Sequence, residues 1–91
     1  MYLAFDLPDP RDNNPSAHTV AFCIHRELDK WGNRYQIEFK TKYHKNRLRL
    51  IFPIENEYHF FMLTWSPNTV VSGHSLPDIW LQPRAVEVPK H

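Results

Sequence analysis

Apolar and polar residues alternate most regularly between Tyr35 and Tyr43. Tyr35, Ile37, Phe39, Thr41 and Tyr43 fall on one side and Gln36, Glu38, Lys40 and Lys42 on the other. A period of two is that of a half-buried strand, so a strand is predicted over about 34–43. Arg47-Leu48-Arg49-Leu50-Ile51-Phe52 alternates as well and predicts a second strand over about 47–52. A two-residue turn at Lys45-Asn46 pairs Tyr43 with Leu48, Thr41 with Leu50 and Phe39 with Phe52, which gathers the apolar partners on one face. The same register sets Lys42 opposite Arg49 and His44 opposite Arg47 on the other face. Like charges directly across a strand pair repel, so compensation is expected there, from solvated side chains that splay apart and from Glu38.

Around this hairpin the pattern predicts three further elements. Tyr2 to Leu7 alternates weakly and reads as a first strand, about 2–7, followed by a loop rich in Pro, Asp and Asn. A helix is expected over about 15–31, with Asn14 as N-cap, Pro15 at the first helical position and Gly32 as the stop. At 100° per residue Ala17, Val20, Ala21, Ile24, Leu28 and Trp31 form one apolar sector, with His18, His25, Arg26 and Asp29 opposite. Phe22 falls on the polar side beside His25, which makes the two a candidate protein interface. Tyr58 to Trp65 is apolar in both phases and reads as an interior strand, about 58–65.

The four prolines between Ser66 and His91 exclude a long regular helix and predict irregular chain with room for short strands at Ile79-Trp80-Leu81 and Ala85-Val86-Glu87-Val88. The expected architecture is α+β, one domain over 1–91. One amphipathic helix packs on a mainly antiparallel sheet of about four strands, in the order β-α-β-β-β, followed by the Pro-rich segment.

Composition narrows the class. Ninety-one residues with 42% hydrophobic and 14% aromatic content suit one packed core. Cys23 is the only cysteine, so no internal disulfide forms, and a reducing, cytoplasmic setting is expected. The N-terminus lacks a basic region ahead of its short apolar run, and no stretch has the roughly 20 apolar residues of a membrane span. Net charge is only +1, but its distribution is uneven: Arg34, Lys40, Lys42, Lys45, Arg47 and Arg49 accompany one acid, Glu38, between residues 34 and 49.

Recognisable catalytic patterns are few. His18, His25, His44, His59, His74 and His91 have none of the close spacings that mark a metal site. Cys23 lies beside the helix's apolar sector as a core thiol, His74-Ser75 near Asp78 lacks a nucleophile elbow, and two glycines make no phosphate loop. No cofactor, metal or catalytic group is expected. The candidate site is instead the basic strand face, Lys40, Lys42, His44, Lys45, Arg47 and Arg49, with Phe60 alongside as a surface on which bases stack.

Strand, helix and three-stranded meander, carried by Tyr35-Gln36-Ile37, Arg47-Leu48-Arg49-Leu50 and Phe60-Phe61-Met62-Leu63, together resemble the RelE-type toxin family over about half the chain. That resemblance implies a ribosome-dependent ribonuclease using basic residues of the sheet. From the residues themselves the leading expectation is a non-enzymatic module that docks an anionic partner, nucleic acid first. The alternative is a protein-binding inhibitor of a host or defence complex, directed at an acidic or nucleic-acid-binding protein. The doubly apolar segment 58–65 leaves a homodimer open.

Overall fold

The computed structural model describes residues 2–11, 16–54, 57–71 and 73–86. Strand β1 (Tyr2–Asp6) is followed by helix α1 (Ala17–Tyr35), the hairpin β2 (Lys40–His44) and β3 (Arg47–Ile51), and helix α2 (Glu57–Thr64). A small antiparallel hairpin, β4 (Val70–Val71) and β5 (His74–Ser75), a 3₁₀ turn (Asp78–Leu81) and strand β6 (Arg84–Val86) follow among the described residues. The main sheet is antiparallel, in the order β2-β3-β1-β6. With Cα extents of 35 × 33 × 17 Å the molecule is two layers deep. The expected α+β architecture, a helix on a four-stranded antiparallel sheet, is the one observed.

The hairpin register is also as expected. Tyr43 pairs with Leu48, Lys42 with Arg49, Thr41 with Leu50 and His44 with Arg47. Lys45 takes the positive φ (54°) that a two-residue hairpin turn requires. The turn is fastened to β1, because the Leu7 N–H donates to the Asn46 carbonyl (3.0 Å) and the Asn46 side-chain amide donates to the Leu7 carbonyl. Leu3 lies opposite Leu50 and Phe5 opposite Leu48, and all four are fully buried against α1, where Val20, Ile24, Leu28 and Trp31 meet them. Each such side chain contributes about 1.5–3 kcal/mol of burial.

Three expectations are corrected. Residues 57–64 form a helix and not the interior strand expected over 58–65. An apolar run of eight residues fits either element by pattern alone, and tertiary packing decides: Phe61 enters the core, stacking on Trp65 (centroids 4.7 Å) and meeting Trp31 edge-on (4.9 Å), while the Trp31 indole N–H donates to Thr64 Oγ1 (2.8 Å). The fourth strand comes instead from the C-terminal segment, where β6 pairs with β1. This also removes the third meander strand on which the likeness to the RelE-type toxins rests. The other proposed edge strand, Ile79 to Leu81, is part of the 3₁₀ turn.

The helix begins and ends later than expected. Ser16 is its N-cap, accepting the Thr19 N–H on Oγ (3.1 Å); Asn14 and Pro15 lie outside the described residues. Gly32 does not stop it. The helix runs on to Tyr35 and is closed by Gln36 in the left-handed region (φ 53°), so the strand expected from 34 begins only at Lys40. Gly32 serves another purpose: a Cβ there would stand 2.8 Å from Phe39 Cε1 and 3.2 Å from the Ile37 carbonyl oxygen. The glycine lets residues 37–39 fold back onto the helix, placing Phe39 against Trp31 and Phe52.

Glu27 is a buried carboxylate that sequence reasoning did not single out. Its Oε1 accepts the Asn68 N–H (2.7 Å), and its Oε2 meets Arg26 Nε (3.0 Å) and Lys30 Nζ (3.4 Å). Arg26 also donates to the carbonyls of Asn68 (3.0 Å) and Val70 (3.1 Å), so the pair ties the chain after α2 onto α1. Burial opposes ionisation of Glu27, but the Asn68 N–H, Arg26 and Lys30 outweigh it and hold its pKa below the ordinary carboxylate value.

Two predictions follow from these contacts. Gly32→Ala removes a poor helix former yet is expected to lower stability by about 1–3 kcal/mol, because the crowded Phe39 must move; equal or greater stability in urea denaturation contradicts the assigned packing. Glu27→Gln is expected to cost about 1–3 kcal/mol at neutral pH. Because the folded pKa is lowered, that difference is present above about pH 4.5 and shrinks as pH falls through the folded value. A difference that is independent of pH contradicts the ionised role.

Candidate functional site

Strand alternation that buries Leu3, Phe5, Leu48 and Leu50 sends the intervening side chains to the opposite face of the sheet. There Lys42, Arg49, Ala4 and Arg84 lie in one row across all four strands, and His44, Arg47 and Asp6 in the next. Both helices contribute to the core on the other side, and Lys40, Lys42, His44, Arg47, Ile51, Asp6 and Arg84 are exposed. Ala4 is fully buried although it points to this face, which places it in a trough between Arg49 and Arg84.

Asp6 ties β3, β1 and β6 together on this surface. Arg47 Nε lies 3.1 Å from its Oδ1, while Arg84 grips both oxygens, Nε to Oδ2 and Nη2 to Oδ1, each at 3.1 Å. Such two-pronged contact fixes geometry as well as charge. The compensation expected from Glu38 is therefore supplied, for Arg47, by Asp6 across the strand. Neither Asp6 nor Arg84 was identified from sequence. The one signal there was that Asp6 shares its phase with Ala4, opposite to Leu3 and Phe5.

The Asp6 carboxylate does not cancel the field. His44 is fully exposed, yet its pKa is pushed below the ordinary histidine value, by Arg49 above all, then by slight desolvation and by Lys45, Lys42 and Arg47. Five of the six cationic or titratable residues expected at the site thus act on one another: His44 feels Lys42, Lys45, Arg47 and Arg49. Lys40 occupies the same phase of β2 two residues from Lys42. Beside the turn a depression of about 570 Å³ is lined by Asp6, Leu7, His44, Lys45, Arg47 and Arg49, together with Asn46.

Phe60 does not belong to this face. Because its segment is helical, it packs in the opposite layer, edge-on to Tyr35 (5.0 Å) and 6.0 Å from Trp31. Phe60 is thus apart from the cations, which share the outer face of β2 and β3. Phe22 is exposed on α1 (58%), as expected, while His25 Nε2 is engaged with the Tyr43 hydroxyl (2.9 Å), which links α1 to β2. Among the described residues no group of three or more His, Cys, Asp or Glu side chains is placed to hold a metal ion, and no helix is long and apolar enough to cross a membrane. Cys23 is buried, and burial, opposed by Arg26, raises its pKa away from the reactive thiolate.

No protein-family model, curated protein or solved structure matches the chain.

His44 reports on this positive potential. Arg49→Gln is expected to raise its pKa, as is an oligonucleotide bound on the face, because each lessens the positive potential that favours the neutral imidazole. Histidine C–H resonances followed across pH by NMR report both shifts. A His44 titration unmoved by the substitution contradicts the assignment.

Proposed function

We propose that the protein is a small non-enzymatic binding module that docks nucleic acid through the outer face of its sheet. The observation that carries this reading is the clustering of charge: Lys40, Lys42, Arg47, Arg49 and Arg84, with Lys45 and His44 at the turn, share an open face with the Asp6 carboxylate. Arg47 and Arg84 are held in place by Asp6, so they act as a rigid frame, and the lysines supply mobile contacts around it. With Phe60 turned away, binding rests on phosphates more than on stacked bases. Such contacts are tolerant of sequence and strongly dependent on salt.

A second reading, a protein-binding inhibitor, draws on α2. This helix is apolar nearly all round yet buries only Phe61, leaving Leu63 (86% exposed), Met62 and Phe60 at the surface together with the preceding Ile54. An acidic or nucleic-acid-binding protein would satisfy both this apolar patch and the basic face.

Fluorescence anisotropy with single- and double-stranded RNA and DNA, over a series of salt concentrations, separates the two readings. The wild type is expected to bind at low salt, with affinity falling steeply as salt rises. Lys42→Glu combined with Arg49→Glu is expected to weaken binding at least tenfold and to flatten the salt dependence by about one unit for each phosphate that is no longer neutralised. Binding unaffected by the reversal rejects the basic face, and absence of nucleic-acid binding in every series moves the choice to a protein partner. Gel analysis of the same RNA samples reports any cleavage.

A further inference from the structure

Strand β2 is the outermost strand of the main sheet, and among the described residues nothing pairs with its far edge. The Leu7–Asn46 hydrogen bond shows that the even-numbered residues of the turn and β3 address β1, so Arg47, Arg49 and Ile51 address β2. Their partners His44, Lys42 and Lys40 use their backbone groups inward, and by alternation the amides and carbonyls of Thr41 and Tyr43 face outward. An edge of this kind is a template for one more strand.

The surroundings specify that strand. On the outer face the edge carries Lys40, Lys42 and His44, with Lys45 at the turn. Toward α1 it carries Tyr43, half exposed and bonded to His25. Phe22 lies three residues before His25 and Asp29 four after, so all three share one helical stripe. His25 touches Tyr43, and Asp29 lines a groove with Phe39 and Lys40, so the stripe, exposed Phe22 included, flanks the β2 edge. The groove itself, about 910 Å³, has Ile37, Phe39, Ile51 and Pro53 in its walls beside the carboxylates of Asp29 and Glu38, so at that end of the edge it favours an apolar side chain over an acidic one.

We infer that β2 takes up an extended peptide segment of another protein, acidic at alternate positions and apolar between them. Its acidic residues meet the Lys40–Lys42–His44 row, and its apolar residues lie over Tyr43 and Phe22, with one in the groove. A second copy of this chain is a poor occupant, because antiparallel β2–β2 pairing sets the same lysines and histidine against themselves. The inference shares the Lys40–Lys42–His44 row with nucleic-acid docking and adds the backbone edge of β2, which docking on the face does not use.

The test uses a labelled peptide of about ten residues alternating glutamate and valine, with three counterparts: a lysine–valine peptide, and glutamate–valine peptides N-methylated on one or the other alternate set of amides. Only one set of amides faces β2 in an added strand. Binding at least tenfold weaker for one methylated peptide, with the other within about threefold of the parent, is the expected result. The lysine–valine peptide is expected to bind at least tenfold more weakly, and hydrogen exchange at the Thr41 and Tyr43 amides to slow with the parent peptide. Tyr43→Pro, which removes an outward N–H and no ladder bond, is expected to lose the peptide while keeping the circular dichroism spectrum and RNA affinity of the wild type. Where that variant does not fold, the methylated pair decides with the wild-type chain alone. Failure of the parent peptide to bind, equal effects of the two methylations, or self-association of the free protein through this edge overturns the inference.

Discussion

A two-residue turn at Lys45-Asn46 fixes which side of the sheet is oil and which is charge. With His44 opposite Arg47, every second residue of β2 and β3 faces α1. A slip of one residue would carry Leu48 and Leu50 into water and Arg47 and Arg49 into the core, a cost well above the few kcal/mol that separate a folded domain from its unfolded chain. Asn46 holds the turn to Leu7, so the register passes to β1. Through β1 it passes to β6, where Arg84 completes the grip on Asp6.

The two faces make different demands. On the packed side Trp31 stands at the centre of Tyr35, Phe39, Phe52, Phe60 and Phe61, with centroids between 4.9 and 6.4 Å, and α2 exists because it can deliver Phe61 there. On the open side there is little apolar surface to hide, and cations are placed where repulsion works against folding. The lowered pKa of His44 expresses that repulsion: the face favours a neutral imidazole, and acidification charges a group whose neighbours resist it. Its pKa being depressed, the stability it brings is lost as pH falls through its folded value. The proposed docking of an anionic partner rests on this positive potential.

The hairpin was legible because turn chemistry and alternation agreed, and the two faces of β3 could be assigned from Arg47-Leu48-Arg49-Leu50 alone. Residues 58–65 were not, since Tyr-His-Phe-Phe-Met-Leu is apolar at either period and only the position of Trp31 and Trp65 selects the helix. Gly32 misled for a related reason. A glycine near a helix end ordinarily marks a stop, and here it marks the close approach of Phe39. Asp6 and Arg84 were beyond local reading because they meet through a strand pairing that spans most of the chain. The same holds for Glu27 and Asn68, which join segments 41 residues apart. Of the candidate site, the cations were therefore readable, and the acid that frames them and the displacement of Phe60 were not.

The central claim is that the face opposite the helices is where an anionic chain lies. Chemical-shift mapping of ¹⁵N-labelled protein with an oligouridylate of about ten nucleotides at low salt tests it most directly. Perturbations concentrated on Lys40, Lys42, His44, Lys45, Arg47, Arg49 and Arg84, fading as salt is added, are the predicted result. Perturbations centred on α2, or an unchanged spectrum at the lowest salt, contradict it.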